Sequence, residues 1–395
     1  MNTSSSPSNA KTLAAVLLLG MLAGCAGGSK SSSCTNCVPP ARPEFLYTTA
    51  LNQIAIFNVD TTNGTLTLPL GLNAGTFPGP NDAEGLVADP QVRFLFVSDF
   101  TGSLVRVFSL NTSNGRLTEV TGSPFPLDAS GPRGLVTDAG GKFLFVADFN
   151  SNEISVFNIG SSGALTRVTG SPFFVVGGSS PAFLLLHPSG NFLYASNLNS
   201  PTGAISAFSI NATTGALTQI SGSPFPTVGS SPGPSSMASD PAGKFLYVSL
   251  GGTANANNQV AAFTVNSSTG ALTPIAGSPV TVGRDPQGLA VTPDGKFLFI
   301  ANFLDNTISA FSIDAASGVL TPITGSPFTA NNAPSRVVID PSGKFLDVTN
   351  NVGGDISVFT INASTNASTG LLSPIAGSPF GTLTQPKDLV VVKIP

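Results

Sequence analysis

One four-residue pattern recurs seven times along this chain and limits what it can fold into. Phe-Leu-aromatic-Val, with small variations, appears as Phe45-Leu46-Tyr47, Phe94-Leu95-Phe96-Val97, Phe143-Leu144-Phe145-Val146, Phe192-Leu193-Tyr194, Phe245-Leu246-Tyr247-Val248, Phe297-Leu298-Phe299-Ile300 and Phe345-Leu346-Asp347-Val348. Successive copies lie 49, 49, 49, 53, 52 and 48 residues apart. Self-similarity at this period signals a repeat architecture in which no unit buries its apolar face alone. Each unit carries four short apolar segments rich in β-branched and aromatic residues. In the sixth they are Gly288–Val291, Phe297–Ala301, Ile308–Ile313 and Val319–Ile323. Segments of four to six such residues read as strands.

The connections agree. Pro293-Asp294-Gly295-Lys296, Asp240-Pro241-Ala242-Gly243 and Asp340-Pro341-Ser342-Gly343 join first to second strands, with Pro preset for a turn and Gly free to take positive φ. Ser317-Gly318, Thr269-Gly270 and Asn114-Gly115 close the hairpin between third and fourth strands. Gly-Ser-Pro then follows, and its Pro is expected to end the outer strand and release the chain to the next unit.

Four strands per unit, repeated radially, predict an all-β seven-bladed β-propeller with four antiparallel strands per blade. The two ends of the chain are complementary. Phe45-Leu46-Tyr47 reads as a second strand without a first, and Gln385 to Val392 reads as a first strand without a second. The C-terminal strand is therefore expected to join the N-terminal blade, which completes seven blades and removes two open edges. The propeller spans residues 44–395.

Ahead of it stands an address. Lys11 precedes the apolar run Leu13–Leu22, too short for a permanent bilayer span and laid out like a signal peptide. Leu22-Ala23-Gly24-Cys25 resembles the lipobox of bacterial lipoproteins, which implies a signal peptide over residues 1–24 and acylation of Cys25. Ala26 in place of Asp implies, by that group's sorting rule, the outer membrane where the host has one. Residues 25–43 form a flexible tether containing Cys34 and Cys37, for which a disulfide is the plainest expectation outside the cytoplasm. A zinc site would need a second cysteine pair and a thioredoxin-type couple a βαβ setting. The protein is accordingly expected at the cell envelope, membrane-bound through its N-terminal lipid.

Composition excludes other classes. With 16 Lys+Arg against 20 Asp+Glu, no nucleic-acid partner is expected. A single His and three Cys leave no multi-histidine metal centre, and no cofactor is implied.

The unit layout, with its Asp-Pro-x-Gly-Lys-Phe-Leu turn and Thr-Gly-x-Leu-Thr hairpin, resembles the seven-bladed lactonase family, which includes 6-phosphogluconolactonases and carboxymuconate cyclases. The resemblance implies a site at the central channel and lactone chemistry. Relatives often carry Gly-Pro-Arg-His at an inner-strand entry. Gly131-Pro132-Arg133-Gly134 keeps the Arg and replaces the His, while His187 falls in a turn on the other face.

Comparing the blades with one another locates candidate residues. The two positions before each inner strand's apolar core differ from blade to blade. The first reads Lys387, Glu84, Arg133, Ala182, Ser235, Gln287, Ser335, and the second Asp388, Gly85, Gly134, Phe183, Ser236, Gly288, Arg336. In a chain only 9% charged, this gathering of charge at one channel mouth is unexpected. Arg133, Arg336 and Lys387 are candidate donors to a small anionic or lactone ligand, with Asp388, Gln287 and Asp285 beside them. Glu84 is a candidate base, and Glu84 with Arg133 would be the catalytic pair, since lactone opening needs an activated water and an oxyanion donor. Alternatively these charges pin the closing strand in register. Two functions follow: an envelope module that binds a ligand or an envelope protein without catalysis, or a lactone hydrolase or cycloisomerase.

Overall fold

The computed structural model describes residues 43–69, 76–79, 82–199, 203–227, 233–251, 258–364, 367–381 and 384–395. Cys25, Cys34, Cys37, the expected signal and all of the expected tether but Pro43 lie outside them. Seven sheets form, each with four antiparallel strands in a row. Blade 3 is representative, running from the axis outward as Pro132–Thr137, Phe143–Asp148, Glu153–Ile159 and Leu165–Arg167. Blade 1 is built from both ends of the body. Leu389–Lys393 is its inner strand and pairs with Glu44–Ala50, Thr48 opposite Leu389 and Glu44 opposite Lys393. The inner strand of blade 1 also touches those of blades 2 and 7, so the ring is closed.

Seven apolar clusters fill the spaces between neighbouring blades, as expected of stacked repeats. The third motif position supplies a ring to six of them. Tyr47, Phe96, Phe145, Tyr194, Tyr247 and Phe299 are fully buried. Each Tyr also spends its hydroxyl on the next blade. Tyr47 Oη donates to the Gly115 carbonyl at 2.7 Å, Tyr194 to Gly270 at 2.9 Å and Tyr247 to Gly318 at 3.1 Å. These glycines turn with positive φ, and a Cβ on Gly115 would stand 2.5 Å from Ile56 and 2.6 Å from Phe45. Close blade packing thus needs the residue that has no side chain.

Gly-Ser-Pro does more than end the outer strand. After it the chain resumes pairing with the same third strand, as Phe173–Phe174 does with Glu153 and Ile154. In the gap the Ser hydroxyl replaces the missing ladder partner. Ser171 Oγ accepts the Val156 N–H at 2.8 Å, and Ser123, Ser223, Ser278, Ser326 and Ser378 do the same in their blades. In two cases a repeated turn lysine reaches the next blade. Lys142 Nζ donates to Thr213 O and Lys244 Nζ to Ala316 O. His187 is a buried turn residue whose Nε2 donates to Gly243 O at 2.7 Å.

Candidate functional site

In blades 2 to 7 the register between inner and second strands shifts at the inner strand's entry, for example between Pro132 and Leu135 and between Pro334 and Arg336. A bulge there re-aims side chains. The shifts fall on the first variable position in blades 4, 5 and 7 and on both in blades 2, 3 and 6, and all fourteen of those residues line one of two adjoining cavities at the mouth, of about 380 Å³ and 170 Å³. Inner strands approach closely at this level. A Cβ on Gly85 would stand 2.3 Å from the Arg133 carbonyl oxygen, and one on Gly288 2.5 Å from that of Ser335.

The candidate residues separate into two groups. The first joins blades. Lys387 Nζ lies 2.7 Å from both Asp82 Oδ1 and Glu84 Oε1. Burial alone would lower the Lys387 ammonium, but the two carboxylates outweigh it and hold it above its usual range. Asp388 is buried. Its Oδ2 accepts the Leu86 N–H of blade 2 at 2.9 Å, and its Oδ1 accepts its neighbour Leu389 N–H at 2.9 Å. Burial holds this carboxyl above the usual range, with Arg336 opposing. Arg336 Nε lies 2.9 Å from Asp388 Oδ1, an ion pair without hydrogen-bond alignment.

The second group faces the larger cavity. Arg133 is stacked between two rings, its guanidinium carbon 4.0 Å from the Phe149 centroid and 5.2 Å from that of Phe100. Its Nε is buried with no acceptor. Arg336 lies over Phe183 at 4.6 Å, and its Nη1 donates to Ser236 Oγ at 3.4 Å. Asp285, at positive φ, holds its carboxylate in the same cavity, where Gln287 Nε2 donates to Oδ2 at 3.3 Å. Burial pushes this carboxyl up, and among the described residues no cation pairs with it. Phe100 and Phe149 escaped the sequence analysis. The available signal was an aromatic after the acid ending the second strand, as Asp148-Phe149 in the blade of Arg133 and Asp99-Phe100 in the blade before it. Among the described residues no group of His, Cys, Asp and Glu could hold a metal ion.

A family model described as a lactonase, seven-bladed β-propeller, matches residues 44–176, 171–233, 223–327 and 283–379. The chain belongs to the seven-bladed β-propeller lactonase family. Among solved structures, this lactonase-family chain is similar to a candidate 6-phosphogluconolactonase from Bacteroides uniformis, at 20% identity and TM-score 0.75, covering 89% of this chain and 100% of the other. A candidate 6-phosphogluconolactonase from Bacteroides fragilis matches at 22% identity and TM-score 0.73, covering 89% and 98%. A periplasmic gluconolactonase from Pseudomonas aeruginosa matches at 20% identity and TM-score 0.73, covering 89% and 99%. At such identities the likeness concerns the fold alone. No curated protein matches the lactonase-family chain.

Proposed function

We propose that this lactonase-family propeller binds a small anionic ligand at its channel mouth and is held at the cell envelope by a lipid on Cys25. The ligand reading rests on Arg133. Two phenylalanine faces cover its guanidinium, its Nε is buried without an acceptor, and the residue lines the larger cavity. A cation so placed has donors to spare, and a buried donor without a partner is costly. An anion in the cavity would relieve that cost. The anchor reading rests on Leu22-Ala23-Gly24-Cys25. Cys25→Ser should abolish incorporation of labelled fatty acid, and continued incorporation would refute it.

Hydrolysis of an extracytoplasmic lactone is a second reading, favoured by Asp285. Glu84, the expected base, is tied to Lys387, whereas Asp285 is unpaired by any described cation and faces the cavity shared with Arg133 and Arg336. Asp285 would position and deprotonate the attacking water while Arg133 receives the developing oxyanion. A lactone panel tests this. Turnover that falls by about 100-fold or more in Asp285→Asn and Arg133→Ala, yet stays near the unmodified rate in Glu84→Gln, supports it. Absence of turnover across the panel leaves the binding reading alone.

A further inference from the structure

Asp388 and the larger cavity share one cation. From blade 7, Arg336 crosses the mouth to Asp388 in blade 1, Phe183 in blade 4 and Ser236 in blade 5, and it borders both cavities. Its hold is loose. The buried Nε has no aligned acceptor, the Nη1 bond is long at 3.4 Å, and a guanidinium has five N–H donors to place. Asp388 in turn receives hydrogen bonds from two backbone amides, neither of them supplied by Arg336. What Arg336 gives it is positive charge, and a buried carboxylate that loses its cation is neutralised by a proton.

We propose that Arg336 is a latch shared between Asp388 and the ligand: an anion entering the larger cavity draws the guanidinium off Asp388, which then takes up one proton from solvent. This rests on the anion-binding reading above. Charge balances, because one ion pair replaces another and the proton neutralises the abandoned carboxylate. The other charged groups around Asp388 do not substitute for Arg336. Lys387, the preceding residue, is shared by Asp82 and Glu84, and Glu84 from blade 2 adds repulsion. Arg133 from blade 3 borders the same smaller cavity but is stacked between its two rings. The adjoining strand of blade 1 offers the hydroxyls of Thr48 and Thr49, bonded to the Asp388 backbone. Burial already raises this carboxyl, and Arg336 is the largest influence pulling it down. Proton uptake and anion binding therefore strengthen one another.

Sulfate is the probe, because its charge is constant over the range used. For the full chain at fixed ionic strength, sulfate affinity should rise as pH falls, by up to about tenfold per pH unit, with about one proton taken up per sulfate. Asp388→Asn should bind about tenfold or more tightly at pH 8 and lose the pH dependence, since its guanidinium is already released. Arg336→Gln should bind poorly. Asp285, on the same cavity wall, also repels an anion when ionised, so the coupling must persist in Asp285→Asn. Should Asp388→Asn fold poorly, carbon NMR of the Asp388 carboxyl in the unmodified chain should show its titration moving upward on saturation with sulfate. Sulfate binding without pH coupling, or an unmoved Asp388 titration, overturns the latch alone. Failure of both the unmodified chain and Asp388→Asn to bind sulfate overturns the anion site and the latch together.

Discussion

Asp347 takes the place that an aromatic ring holds in the other six blades, and it sits at the seam between blades 7 and 1. It is 2% exposed, and burial together with the charges of Asp340 and Glu44 pushes its carboxyl up to about 8. Glu44, across the seam, is raised by burial and by Asp340, with Lys393 opposing at 3.8 Å. An unfolded Asp titrates near 3.8. Between these two values the folded chain keeps a proton that the unfolded chain releases, so raising the pH favours unfolding, by at most about 1.4 kcal/mol per unit. Asp347→Asn should therefore raise the melting temperature more at pH 8 than at pH 5. Equal shifts at both would show that Asp347 ionises freely in the fold. Asp347 is visible in the sequence as the odd member of its series. Its acidic neighbours are less so: Asp340 lies in the turn of the same blade, and Glu44 comes from the N-terminal end of the body and meets it only across blades 7 and 1. Arg133 is a similar case: its position is legible, but the two rings that clamp it come from loops about 16 to 33 residues away.

In blades 2 to 7 the third strand shows what a repeated short motif accomplishes. Its outer edge is covered in three pieces, by the outer strand, by a serine hydroxyl and by two further residues after the proline. In blade 6 these are Leu320–Pro322, Ser326 and Phe328–Thr329 against Thr307–Ile313. Removing the hydroxyl leaves the Ala310 amide without its partner. Ser326→Ala should cost about 1–3 kcal/mol of stability, while Ser326→Thr, which keeps an acceptor, should cost less. Urea unfolding measures both, and equal losses would mean that the hydroxyl is not the stabilising group. The four principal strands and their turns are legible because apolar alternation and Gly-containing turns repeat at each boundary. The renewed pairing after Gly-Ser-Pro is not, since two residues carry no periodicity.

For the molecule, blade number and mode of closure follow from counting incomplete units at the two ends, and the fold bears both out. The mouth is legible too, because residues that vary among equivalent positions stand out against those that serve every blade. The division of labour there is not legible, since Lys387, Arg336 and Arg133 differ in which acid or ring each meets across the ring of blades. The closing strand should be indispensable. Deleting residues 385–395 bares the inner edge of Glu44–Ala50 and strips Leu389 and Val392 from the clusters they share with blades 7 and 2. The truncated chain should lose its cooperative thermal transition and scatter light as exposed edges pair between molecules. A monomer with an unchanged transition would refute closure as a source of stability. The chain enters this joint at Pro43, whose carbonyl accepts the Ile394 N–H at 3.2 Å, at the end of the closing pair remote from the mouth. A pull away from that face therefore runs along Glu44–Ala50 and loads two hydrogen-bonded ladders in shear, with Leu389–Lys393 on one side and Gln53–Val59 on the other. The bonds share such a force instead of parting singly, so the joint that closes the ring is also its mechanical strong point.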